Sequence, residues 1–139
     1  MSSMIIGIDP GYERCGFAVL DPESDALVTF GVIKTTPKVF SLRLQEIGQD
    51  FQALLDKYQP TILSIEDLFF VQNITTGMKV AEVRGVLIYL AAEFGCQICE
   101  PKPVEIKSSF AGDGKADKRA MGKMAQIQYG IDSGATLDD

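Results

Sequence analysis

Two short apolar runs in this chain each end on a carboxylate: Met4-Ile5-Ile6-Gly7-Ile8-Asp9 and Thr61-Ile62-Leu63-Ser64-Ile65-Glu66. Each reads as a buried strand. If the two strands lie side by side and parallel, Asp9 and Glu66 project from one carboxyl edge of a sheet, the edge where open α/β sheets bind ligands. Two carboxylates facing each other repel unless a cation sits between them, so the pattern predicts a divalent-metal site. Glu66 and Asp67 are adjacent and point to opposite faces of an extended strand. Glu66 joins Asp9 if Ile62, Ser64 and Glu66 face the site, which leaves Asp67 as a loop or capping carboxylate. Taken singly, Gly7-Ile8-Asp9-Pro10-Gly11 is equally a plain turn, and Glu66-Asp67 equally a solvated loop.

The remaining chemistry is narrowed by what the chain lacks. It has no histidine, which removes Ser-His-Asp and Cys-His mechanisms. Cys15 and the Cys96-Gln97-Ile98-Cys99 pair cannot supply the four ligands of a structural zinc site, and they read as reduced thiols on a half-buried strand. Catalysis must run on carboxylates, lysines or a metal. Phe69 and Phe70 sit in a polar loop with Gln72 and Asn73. Either both fill the core, or one stacks on a nucleobase, a contact of roughly 1–3 kcal/mol. Lys107, Lys115 and Lys118 lie near Gly112-Asp113-Gly114, where lysines are either surface groups or stabilise charge building on a phosphodiester.

The net charge is −6, yet its distribution is uneven. Residues 101–123 carry Lys102, Lys107, Lys115, Lys118, Arg119 and Lys123 against Glu105, Asp113 and Asp117. This basic segment on an acidic body is a solvated helical face or a phosphate-binding patch.

The elements that must position these residues follow from periodicity. Residues 4–9, 14–20 and 27–33 read as three strands joined by the Pro10-Gly11 and Asp21–Asp25 turns, an antiparallel meander. Leu44, Ile47, Phe51, Leu54, Leu55 and Tyr58 recur at helical spacing, so residues 39–58 form an amphipathic helix that Pro60 stops. A strand follows at 61–66, then a loop over 67–76 ending in a threonine cap. A second helix spans 77–94 and closes on Gly95. A strand at 96–100, a short helix at 103–110 and a last helix at 117–129 complete the order βββαβαβαα. The expected fold is α/β, a mixed five-stranded sheet with helices on its faces. A chain of 139 residues suits one domain. It has no apolar stretch near the roughly 20 residues of a membrane span and no secretory signal, which predicts a cytoplasmic protein with no membrane partner. The abrupt end at Leu137-Asp138-Asp139 reads as a truncation.

Together these residues resemble the RuvC-type Holliday-junction resolvases. The likeness spans nearly the whole chain. It rests on Gly7-Ile8-Asp9-Pro10-Gly11, on Ile65-Glu66-Asp67-Leu68-Phe69-Phe70 with Asn73, and on Val83-Arg84-Gly85. Pro103-Val104-Glu105-Ile106-Lys107 and Gly112-Asp113-Gly114-Lys115-Ala116-Asp117-Lys118 complete it. The resemblance implies a ribonuclease-H-like fold and a homodimer through helix 77–94, with Gly85 permitting close approach. It implies a hydrolase of DNA recombination and repair, a magnesium-dependent endonuclease that nicks symmetric strands of four-way DNA junctions. A branch-migration motor complex is a further implied partner. Asp9 and Glu66 fall on the family's first two metal-binding acids, Phe69 on the aromatic that stacks in the opened junction, and Lys107 and Lys118 on lysines important for cleavage. Asn73 and Lys115 join them as expected DNA contacts.

The family completes its site with an acid or histidine and, three residues later, an aspartate. Asp138 or Asp139 falls on the first of these, and Asp139 is preferred; the second is not in the sequence. The chain as it stands is therefore expected to bind metal poorly and to cut slowly or not at all. The implied mechanism uses two magnesium ions about 3.5–4 Å apart, with manganese able to substitute. Three other readings compete: a non-catalytic junction-binding protein lacking the final metal ligand, a ribonuclease-H-like nuclease with another substrate, and an actin-like ATPase. The last needs a duplicated domain for which this chain has no room.

Overall fold

The computed structural model describes residues 3–36, 39–67 and 73–101. The expected helices 103–110 and 117–129, and the candidate residues Phe69, Lys107, Lys115, Lys118, Asp138 and Asp139, lie outside the described residues.

Period-two alternation builds the sheet. β1 (Ile5–Asp9), β2 (Arg14–Asp21) and β3 (Ala26–Lys34) form the antiparallel meander. β4 (Ile62–Ile65) then pairs parallel with β1, and β5 (Gln97–Cys99) parallel with β4. The strand order is β3-β2-β1-β4-β5, so the mixed five-stranded sheet expected from the sequence is the one observed.

Ile6 and Ile8 on β1, Cys15 and Val19 on β2, Ile33 on β3, and Leu63 and Ile65 on β4 share one core. Helices α1 (Phe40–Tyr58) and α2 (Ile74–Phe94) meet them there. α1 contributes Ile47, Phe51 and Leu55, and α2 contributes Val83, Leu87 and Ala91. Each fully buried aliphatic or phenyl side chain contributes roughly 1.5–3 kcal/mol. No helix among the described residues is long and apolar enough to cross a membrane.

The helix ends show where local signals decided and where they did not. α1 stops at Gln59, which adopts a left-handed φ of 51° and donates its N–H to the Leu55 carbonyl. Pro60 follows and disfavours helical backbone before it. α2 ends on Gly95, φ 103°, as the glycine signal predicts. Its start differs from the expectation. The helix begins at Ile74 rather than at 77, and the cap is Asn73, whose side-chain oxygen accepts the Thr76 N–H at 3.1 Å. Asparagine caps as well as threonine does, and the earlier position gains one more turn of helix.

Candidate functional site

The parallel register pairs Ile5 with Ile62, Ile6 with Leu63, Gly7 with Ser64 and Ile8 with Ile65. Asp9 ends β1 and Glu66 immediately follows β4, so both lie at the carboxyl rim of neighbouring strands. Ile8 and Ile65 are buried in the helix-covered core. By the pleat, Asp9 belongs to the opposite face, with Gly7 behind it and Ser64 beside Gly7 on β4. Asp9 also pairs with Gly16 on β2. The residues that register places next to Asp9 on that face, Gly7, Gly16 and Ser64, are small.

The turn after Asp9 is tight. A Cβ on Gly11 would come within 2.4 Å of the Arg14 carbonyl oxygen, so glycine is required there. Cys15 folds back against the same turn. Its thiol donates to the Gly11 carbonyl at 3.0 Å, and the Gly11 N–H reaches its sulfur at 3.5 Å. Burial pushes the Cys15 thiol up to about 11, the Gly11 backbone bond opposes this, and the negative charge of Asp9 adds to the rise. A buried neutral thiol of this kind is a packing group, inert as a nucleophile.

Glu66 is held from the helix side. The Arg84 Nε donates to the Glu66 carbonyl oxygen at 3.1 Å, and the far end of the same guanidinium pairs with the Glu100 carboxylate. One residue further, the Asp67 N–H donates to the Pro101 carbonyl at 2.8 Å. The exits of β4 and β5 are therefore tied together, with Arg84 of α2 as the brace. In the sequence Arg84 stands out only as part of Val83-Arg84-Gly85. The available signal is that it is the one charge between Val83 and Ala92 in an apolar helix; a charge partly withdrawn from water needs partners.

The structure thus sets Asp9 and Glu66 at the same rim of the sheet and places Asn73 at the α2 cap. Among the described residues no group of three or more cysteines, aspartates or glutamates gathers at a metal-binding spacing. Cys96 is buried, its sulfur donating to the Pro60 carbonyl at 3.3 Å, and Cys99 is half-buried; neither forms a disulfide.

A three-stranded meander running into parallel strands, with acids at the carboxyl rim, is the ribonuclease-H-like arrangement. The solved structure of T. thermophilus RuvC in complex with a Holliday junction substrate is similar over 99% of this chain and 87% of that one, at a TM-score of 0.86 and 25% identity. The family model described as crossover junction endodeoxyribonuclease RuvC matches residues 5–138. Relatives of that name from Thermosipho melanesiensis (37% identical, 97% of this chain and 88% of the relative) and Heliobacterium modesticaldum (32%, 98% and 86%) are similar along almost their whole length. The chain belongs to the RuvC family of crossover junction endodeoxyribonucleases.

Proposed function

We propose that this protein is a structure-selective endonuclease that nicks symmetric strands of four-way DNA junctions, working in the cytoplasm as a homodimer. The observation that carries the reading is the register of β1 against β4, which sets Asp9 and Glu66 on adjoining strands at one rim. Carboxylate pairs suit magnesium or manganese, which prefer hard oxygen donors. Asp139 is the proposed third ligand. Bound magnesium, two ions per site, would supply the Lewis acidity that phosphodiester hydrolysis needs.

The chain's own residues do the rest. Asp9 and Glu66 fix the charge at the rim, and Arg84 holds the Glu66 backbone in place. Lys107 and Lys118 are proposed to offset charge on the phosphodiester as the bond breaks, and Phe69 to stack in the opened junction. Asn73 and Lys115 add DNA contacts. The lack of histidine is then no obstacle, because no side chain need act as a conventional base.

Support for the dimer comes from α2. Ile74, Met78 and Tyr89 are 67%, 59% and 65% exposed. With Gly85 they fall at spacings of four, seven and four, which makes one stripe along the helix. Nothing lies within 4 Å of a Cβ built on Gly85, so a second helix can approach closely there. The three cysteines are free thiols, which suits a reducing compartment.

Incubation of the purified chain with labelled four-way junctions, flaps and RNA–DNA hybrids in magnesium tests the reading. Paired symmetric nicks in the junction are expected, lost in Asp9→Asn with junction binding kept. Cleavage by Asp9→Asn at the normal rate would remove Asp9 from the mechanism.

A further inference from the structure

Three residues after Asp9, the turn between β1 and β2 carries Tyr12. Two cations flank its ring. The Lys79 ammonium of α2 lies 5.0 Å from the Tyr12 ring centre and 5.8 Å from that of Phe40. The Arg43 guanidinium of α1 lies 6.0 Å from the Tyr12 ring. The two rings meet edge to face, with centroids 6.2 Å apart. All four side chains are half-buried. Arg43 is fixed from behind, donating to the Thr35 hydroxyl at 2.8 Å. That hydroxyl sits 3.1 Å from the carbonyl oxygens of both Tyr12 and Glu13. The β1–β2 turn, the exit of β3 and the front parts of both helices therefore converge on one spot.

Among the described residues, no acid joins the cluster. Among the described residues, neither Arg43 nor Lys79 has a carboxylate partner, in a chain that carries 19 acids against 13 bases. The first turns of α1 and α2 contain no acidic residue either. Ring contact orients a cation without neutralising it. Arg43 commits one of its five N–H donors to Thr35, and Lys79 commits none of its three to an oxygen among the described residues. Two positive groups are thus held at a fixed spread around one ring, with donors unspent.

We infer that Tyr12, Arg43 and Lys79 form a binding site for a backbone phosphate of junction DNA; this rests on the nuclease reading above. A phosphodiester offers the single charge and the acceptor oxygens that such a pair can share. Because Tyr12 and Asp9 lie on one turn, the phosphate held here belongs to DNA entering beside the candidate cleavage rim. The site reads no base; it fixes register and adds affinity that falls with salt.

The test uses the full chain and a fluorescein-labelled four-way junction, with EDTA in place of magnesium, and follows anisotropy across a salt series. Arg43→Gln and Lys79→Gln should each lower the steepness of log affinity against log salt by about 0.9 per lost contact. Lys79→Met, which keeps an apolar stem over both rings, should show the same drop, so a folding defect cannot imitate the result. Lys79→Arg should restore the wild-type slope. Wild-type slopes in all three charge-removing variants would overturn the site while leaving the nuclease reading standing. If the wild-type chain shows no salt-dependent junction binding, the nuclease reading fails and the site fails with it.

Discussion

Ile8 and Asp9 are sequence neighbours on opposite faces of one sheet, and on the adjoining strand the buried Ile65 is followed at once by Glu66. On the helix-covered face the strands supply Ile6, Ile8, Cys15, Val19, Leu63 and Ile65, all nearly or fully out of solvent. On the other face β1, β2 and β4 offer Gly7, Gly16, Ala18 and Ser64 beside the two acids. One face is filled for stability, and the other carries small residues at the middle of β1, β2 and β4, next to Asp9. The pleat separates the two tasks by a single residue, so a one-residue slip in register would exchange them.

Mutating neighbours across the pleat should separate the two tasks. The largest effect is expected from Asp9→Asn: junction cleavage falls roughly 10²–10³-fold or more, while the thermal midpoint moves little. Single-turnover cleavage and calorimetry on one preparation check both. Ile65→Ala should do the reverse, costing about 2–5 kcal/mol in urea unfolding with cleavage per folded molecule kept. A large cleavage loss at full folding would break the comparison.

Arg84 links α2 to the Glu66 backbone at the rim, so its removal should show in both readouts. Arg84→Gln takes away the bond to the Glu66 carbonyl and the charge opposite Glu100, with an expected stability loss of about 1–3 kcal/mol. It should also raise the magnesium concentration needed for half-maximal cleavage. An unchanged metal requirement would confine Arg84 to holding the fold.

Cys15 tests the dryness of the helix face through pH. Its thiol is raised from 9.0 to about 11 in the folded protein, so the neutral form is favoured there. The resulting stability is complete below pH 9 and is lost as the pH climbs through about 11. Cys15→Ala should remove that decline, a difference reaching about 2–3 kcal/mol, read from urea curves of both proteins at several pH values. The smallest effect belongs to Gly7→Ala on the face of small residues. Its Cβ would sit 3.9 Å from the Ser64 oxygen and 4.0 Å from that of Ala18, ordinary contact distances. Stability should stay within about 0.5 kcal/mol, and a larger loss would show that this face is more tightly filled than its side chains suggest.

Much of this arrangement was legible beforehand, for local reasons. Alternation in Ile5–Asp9 and Ile62–Ile65 marks strands whatever their partners, and Pro60 and Gly95 stop helices by backbone geometry alone. The acids at the strand ends were visible for the same reason. The start of α2 differs from the sequence expectation because Asn73 and Thr76 both carry good capping side chains within one turn, and sequence does not choose between them.

The sequence by itself therefore determined the strand and helix identities, the face each strand residue takes, and the absence of histidine chemistry, all set by backbone preference and residue type at short range. Only the tertiary structure decided that β4 lies parallel beside β1 in the register pairing Ile8 with Ile65, that Arg84 reaches the Glu66 carbonyl, and that Arg43 and Lys79 close on Tyr12. These contacts join residues far apart in the chain. Their pairing is chosen by how the apolar faces of sheet and helices pack together, a choice no local stretch of residues can make.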